Sequence, residues 1–336
     1  MKIVIDGFGG DNAPESIIEG AVMAVKELGK EHELQLLITG DKEKLQTVFQ
    51  KLKLPMTKIE LVYANGVIKV EDNPMDIRTS KAGTSMGVAF DLVKKGDADA
   101  FVSAGSTAAL VVGGSMTLGR IKDIKRPALS PIMPSTEGNY ILLDGGANIE
   151  CRPEMLLQFA IMGSVYMQKV MSIKNPRVGL LNVGAESEKG RELELDSYKL
   201  LKSASPLTIN FVGNVEAREV PLGACDVLVT DGFTGNIYLK TVEGMGGFMK
   251  SSLRSIFGKN AASKIGYALS QSGVKEIRKR TDYREIGGSP LLGTAKPVIK
   301  AHGSSDAKAI KNAIKQAAEF VSAGVISEIE NSLKND

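Results

Sequence analysis

Short, almost uninterrupted apolar runs recur along the chain, and each is followed by a stretch whose apolar positions repeat every three or four residues. The first series reads "KIVID" (2–6), "LQLLITG" (34–40), "KIELVYA" (58–64), "ADAFVSAG" (98–105) and "YILLDGG" (140–146). It continues through "PRVGLLNVG" (176–184), "LTINFVGN" (207–214) and "CDVLVTDGF" (225–233). Runs alternating with helical periodicity predict βαβ units on a largely parallel sheet. Because the runs are continuous rather than alternating, both sheet faces are expected to be covered. From Ser305 onward a helical spacing predicts one closing helix. The segment 121–139, with three of the twelve prolines, is the one candidate hinge. It does not justify a clean cut, so residues 1–336 are read as a single catalytic domain.

Composition agrees with an α/β protein. Of the 336 residues 43% are apolar and 24% charged, enough for a large core in two lobes or one broad sheet. Thirty-six glycines and no tryptophan imply many tight turns. Cys151 and Cys225 lack C-x-x-C spacing and read as reduced, cytosolic thiols. The first glycine comes too early for a secretory signal, and no apolar run approaches the ~20 residues of a spanning helix. A formal net charge of +3 is too small to imply nucleic acid as a partner.

Ligands of parallel α/β sheets gather beyond the carboxyl ends of the strands. Those ends read "DGFGGDNAP" (6–14), "SAGSTAA" (103–109), "DGGANIEC" (144–151), "NVGAESEKG" (182–190), "GNVEARE" (213–219) and "DGFTGNIYLKTVEG" (231–244). At any one loop, turn formation and helix capping explain glycine, aspartate and asparagine. Six such loops together point to backbone N–H groups that hold a phosphate or another oxyanion. No G-x-x-x-x-G-K-[ST] is present, and "DGFGGD" does not space its glycines as a dinucleotide fingerprint requires. Only two histidines, His32 and His302, and no G-x-S-x-G make a serine triad improbable. Cys151 reads as a packing residue. The nucleophile expected is one brought by a substrate, such as inorganic phosphate attacking an activated carbonyl, with no cofactor and no metal.

Across these motifs the chain resembles the bacterial phosphate acyltransferases. The most specific stretches are "LDGGAN", "GLLNVGAESEKG" (179–190), "DVLVTDGFTGNIYLKTVEG" (226–244) and "AHGSS". Two places depart from the family's usual pattern: Gly7 and Phe8 stand for an alanine-methionine pair, and Ser106, Thr107 and Ala108 for Asn-Thr-Gly. The resemblance implies transfer of a fatty acyl group from acyl-acyl carrier protein to inorganic phosphate for phospholipid synthesis. It also implies a homodimer and a three-layer α/β/α fold similar to the isocitrate and isopropylmalate dehydrogenases and to phosphotransacetylase. A phosphotransacetylase using small acyl groups on coenzyme A, and a non-catalytic scaffold at a membrane surface, are the competing readings.

Roles follow from side-chain chemistry. Lys189 is expected to bind phosphate or the developing oxyanion, Asn236 to donate to the thioester oxygen beside Asp231, and His302 to protonate the departing thiolate. Gly9, Gly10, Asp144, Asn148, Asn182, Asn214 and Lys240 are expected to line the phosphate site, while Asp6 and Asp11 hold glycine loops in place. The segment from Lys250 to Arg280 carries eight Lys or Arg and one acid, +7 against +3 for the whole chain, which leaves −4 elsewhere. Its apolar positions predict a helical hairpin at about 245–282. Leu253, Arg254, Ile256, Phe257, Lys264 and Lys279 are its candidate contacts to anionic membrane or acyl carrier protein, with dimer packing the alternative. The protein is thus expected in the cytoplasm, peripherally on the inner face of the plasma membrane near a downstream membrane acyltransferase.

Overall fold

The computed structural model describes residues 1–29, 33–204, 208–280 and 282–334. His32 lies outside these, as does the side chain of Lys279. In chain order the first elements are β1 (Lys2–Asp6), α1 (Glu15–Leu28), β2 (Gln35–Gly40), α2 (Lys42–Lys51), β3 (Ile59–Tyr63), α3 (Ser85–Lys95), β4 (Ala100–Ser103) and α4 (Thr107–Gly113). Then come β5 (Ala128–Leu129), β6 (Ile132–Ser135), β7 (Gly138–Leu143), α5 (Pro153–Lys169), β8 (Arg177–Asn182), α6 (Glu192–Ala204), β9 (Asn210–Glu216) and β10 (Val227–Val229). The chain ends with α7 (Gly232–Gly258), α8 (Ala261–Leu269), α9 (Gln271–Arg280), α10 (Tyr283–Ile286), β11 (Gly288–Leu292), β12 (Val298–Ala301), α11 (Ala307–Ser322) and α12 (Val325–Lys334).

The strands form two sheets, ordered β3-β2-β1-β4-β12-β11-β5 and β6-β7-β10-β8-β9. Pairing from β3 to β12 in sheet one, and from β7 to β9 in sheet two, is parallel. The chain passes between the sheets at residues 129–132, inside the proline-rich segment. Leu129 ends sheet one and Ile132 opens sheet two, an edge strand whose Pro134 costs no ladder bond on its open side.

One apolar core runs through both sheets. Ile3, Ile5 and Val102 of sheet one and Ile141, Leu143 and Val229 of sheet two share it with α5 and α11. Helix α5 is buried nearly all round, from Met155 to Met167, as expected of a helix enclosed by packed neighbours. The outer face of sheet one, with Val4 and Phe101, packs on Phe90 and Leu110 of α3 and α4. Sheet two's outer face, with Leu142 and Leu228, packs on Tyr238 of α7. Both faces of both sheets are therefore covered, as the apolar runs predicted.

One expectation is corrected. The closing helix is two helices, α11 and α12, parted at Gly324, whose φ of +62° no helix continues through. The expected hairpin segment contains the outer half of α7 followed by α8 and α9, with the Phe257 and Tyr267 rings 5.3 Å apart where α8 meets α7. Strands β5, β6, β11 and β12 were not anticipated.

Candidate functional site

The loop after β7 turns its polar groups inward. The Asp144 carboxylate accepts from the backbone N–H groups of Leu129 (3.0 Å), Gly146 (3.1 Å), Ala147 (3.0 Å) and Asn148 (2.6 Å), and from Asn148 Nδ2 (2.9 Å). Asn148 Nδ2 also donates to the Pro127 carbonyl at 2.8 Å. Burial pushes the Asp144 carboxyl above its ordinary value, and these donors pull the other way. The two side chains thus clasp the loop to β5 of sheet one.

The backbone that comes close to this loop is that of α7. A Cβ on Gly235 would lie 2.0 Å from the Asp144 carbonyl oxygen, and one on Gly232 would lie 2.4 Å from that of Asn148. Asn236 Nδ2 donates to the Gly145 carbonyl at 3.1 Å, and a Cβ on Gly146 would meet that nitrogen at 2.6 Å. Glycines on both partners let the first turn of α7 sit on the loop's main chain. Asp231 caps that turn, accepting from the Thr234 N–H at 2.7 Å and the Thr234 hydroxyl at 2.9 Å. Lys240 is exposed one turn beyond Asn236, on the same helix face.

Arg191, which sequence reading passed over, ties α6 to α7. Its guanidinium reaches Asp231 Oδ2 at 2.9 Å and pairs with Glu194, whose carboxylate returns to the Arg191 N–H at 2.7 Å. The spacing of Arg191 and Glu194 was the available signal, since an acid three residues after a helix start commonly reaches back to that start.

Residues 183–190 form the third loop, and here the backbone donors are left open. Among the described hydrogen bonds, none uses the N–H groups of Gly184, Ala185, Glu186, Ser187 or Glu188. Two asparagines hold the loop by its carbonyls: Asn182 Nδ2 donates to Lys189 O at 3.0 Å, and Asn214 Nδ2 to Glu186 O at 2.7 Å. Lys189 is exposed, its stem folded over Gly184, where a Cβ would meet Lys189 Cγ at 3.2 Å.

Gly9, Gly10 and His302 gather with the strand ends of sheet one. Asp6 accepts from the Phe8 N–H at 3.3 Å and Ser103 Oγ at 2.8 Å, and Asp11 N–H donates to Gly303 O at 2.8 Å. Asp6 thus holds its glycine loop, as expected, whereas Asp11 ties the loop through its backbone N–H. The Ser304 N–H donates to His302 Nδ1 at 3.2 Å. Ser106 caps α4 through the Ala109 N–H at 3.4 Å. Gly7 and Phe8 belong together: a Cβ on Gly7 would lie 2.6 Å from Thr39 O, while the Phe8 ring fills the space over Gly40.

Burial pushes the Cys151 thiol up to about 12, which disfavours the thiolate a nucleophile needs at neutral pH. Past Val242, α7 leaves the body of the protein, and Met249, Leu253, Ile256 and Ile265 are exposed beside Arg254 and Lys264, with Phe257 half-buried against Tyr267. No helix among the described residues is long and apolar enough to cross a membrane.

Comparison with known proteins gives this geometry its context. Residues 1–328 match the family described as "Fatty acid synthesis protein". The phosphate acyltransferase of Alkaliphilus oremlandii is 47% identical over 100% of this chain and 98% of its own. That of Clostridioides difficile is also 47% identical, over 98% and 95%. Among solved structures, the EutD phosphotransacetylase of Staphylococcus aureus shares the fold at 18% identity, with a TM-score of 0.59 over 96% of this chain and 94% of its own. A phosphotransacetylase of Streptococcus pyogenes, 20% identical, matches equally well at 0.59 over 97% and 94%. With relatives this similar over its full length, the chain belongs to the bacterial phosphate acyltransferases, enzymes that transfer an acyl group to phosphate in lipid synthesis.

Proposed function

We propose that the acyl donor is a long-chain acyl-acyl carrier protein and that inorganic phosphate attacks its thioester directly. The observation that carries this reading is the loop 183–190, with open backbone donors, the Lys189 ammonium and two asparagines that fix its shape. A preorganised set of N–H groups beside one cation suits both a phosphate dianion and the oxyanion that forms when it adds to a carbonyl. A phosphate oxygen bonds to the thioester carbon, the carbon–sulfur bond breaks, and the proton of hydrogen phosphate ends on sulfur. The products are acyl-phosphate and free carrier thiol.

In this scheme Lys189 holds the attacking phosphate or the oxyanion, and Asn236 offers its second amide hydrogen to the thioester oxygen. Lys240 adds positive charge one turn away, and His302 is the candidate group that assists delivery of the hydrogen phosphate proton to sulfur. Asp144, Asn148, Asn182 and Asn214 act on substrate through the loops they hold, and Asp231 through α7 and Arg191. Gly9 and Gly10 line the sheet-one side. A small-acyl phosphotransacetylase would use the same chemistry. Phosphate-dependent thiol release should therefore be measured side by side with long-chain acyl-acyl carrier protein, long-chain acyl-coenzyme A and acetyl-coenzyme A. Preference for the first supports the reading, and preference for acetyl-coenzyme A overturns it.

The same proposal places a homodimer at the cytoplasmic face of the membrane. Its support is the departure of α7 from the body, carrying exposed apolar residues into the basic segment. Such a surface suits anionic lipid, and an acidic carrier protein docks by the same charge.

A further inference from the structure

Sheet one ends in a polar row that the proposed reaction does not use. Ile5, Val102 and Ile299 lie side by side on β1, β4 and β12. One residue further Ser103 pairs with Lys300, and Ser103 Oγ donates to Asp6. Asp6 is 1% exposed and Lys300 8%. Lys300 Nζ donates to the carbonyl oxygens of Ala104, at 3.4 Å, and Ala301. A buried ammonium is costly unless an anion accompanies it, and the carboxylates acting on this one are Asp6 and Asp11.

The loops that follow these strands interlock beyond the row. A Cβ on Gly9 would lie 2.5 Å from Asp6 Oδ2 and 2.7 Å from Gly105 N, and one on Gly10 would lie 2.9 Å from Gly303 O. Asn12 Nδ2 donates to Ser304 O at 3.1 Å and Ser305 O at 3.2 Å. Three glycine-bearing strand ends are thereby fixed around the buried row of Asp6, Ser103 and Lys300.

We propose that Lys300 is a positioning residue whose ammonium, in the same buried row as Asp6 beneath the interlocked loops, fixes the charge those loops present to a phosphate group of a substrate. The inference rests on the phosphate-transfer reading. Burial raises the Asp6 carboxyl, and the hydrogen bonds from Ser103 Oγ and the Phe8 N–H offset this only in part. With Lys300 protonated, the row carries an ammonium beneath the loops. With Lys300 neutral, that positive charge and its attraction for a phosphate dianion are lost. Burial pushes Lys300 down to about 8 despite Asp6 and Asp11, which brings the change into an accessible range. Other charged groups near β12 are accounted for: Asp306, opening α11, pairs with Arg284 at 2.9 Å, and His302 hydrogen-bonds Ser304 at 2.8 Å.

Two substrate groups share this chemistry, inorganic phosphate and the phosphodiester of a pantetheine-type thioester. KM for inorganic phosphate and KM for long-chain acyl-acyl carrier protein should be measured separately between pH 7.5 and 9 for wild type, Lys300→Arg and Lys300→Met. In the wild type one KM should rise by roughly fivefold over this range as the ammonium is lost. Lys300→Arg should flatten that rise, and Lys300→Met should carry the raised KM already at pH 7.5. The substrate whose KM moves identifies the group received. Flat wild-type profiles for both substrates, or a Lys300→Met enzyme that melts earlier with both KM values unchanged, would overturn the proposal. If Lys300→Met does not fold, the wild-type and Lys300→Arg profiles decide. Wild type that shows no phosphate-dependent thiol release at pH 7.5 would instead defeat the underlying reading.

Discussion

Asp144 looks like a ligand in the sequence and serves as a clasp in the structure. One of its five hydrogen bonds, from the Leu129 N–H, joins the loop after β7 to β5, and the other four, from Gly146, Ala147 and Asn148, close the loop on itself. Asp144→Asn replaces one acceptor oxygen by an amide that faces N–H groups, so it should lower unfolding free energy by ~2–4 kcal/mol in denaturant titrations. An unchanged midpoint would deny the clasp. Cys151 gives the opposite expectation. A thiol pushed up to about 12 holds almost no thiolate at neutral pH, so Cys151→Ser should keep turnover within about twofold and no acyl adduct should form on the wild-type residue. A trapped acyl-enzyme would refute direct attack by phosphate.

Helix α7 shows what glycine-rich strand ends can mean. Gly232 and Gly235 exist because the helix's first turn touches the main chain of the Asp144 loop, and Gly235→Ala would place a methyl 2.0 Å from a carbonyl oxygen. The turn must shift, at a cost of roughly 2 kcal/mol or more, visible as a lower Tm together with a raised KM. A glycine run does not say whether a ligand or another backbone makes the close approach, so "DGGAN" and "DGFTGN" were legible as sites of contact and not by partner. The parallel strands were legible because each is a continuous Val, Ile and Leu run. Strands β5, β6, β11 and β12 were not, since β5 has two residues and pairs with the distant β11, β6 and β11 contain proline, and β12 has only four residues. Lys189 and Asn236 could be picked out by side-chain type. The open donors of 183–190 could not, because which N–H groups remain unpaired is settled only by the fold.

At the scale of the molecule, positive charge and exposed apolar side chains coincide where α7 leaves the body. Leu253 is 39% exposed and Ile256 59%, within a segment of balance +7. Binding to anionic vesicles should weaken as salt rises, and replacing both residues by glutamate should abolish it while sedimentation still reports a dimer. Dissociation of that double mutant into monomers would assign the surface to the dimer contact instead. The central claim is that the loop 183–190 carries the transferred charge, and steady-state turnover of Lys189→Ala with inorganic phosphate and long-chain acyl-acyl carrier protein tests it most directly. Because Lys189 is exposed, the variant should fold and melt as the wild type does, yet lose about 100-fold or more in kcat/KM. Wild-type turnover in a normally folded Lys189→Ala enzyme would contradict it.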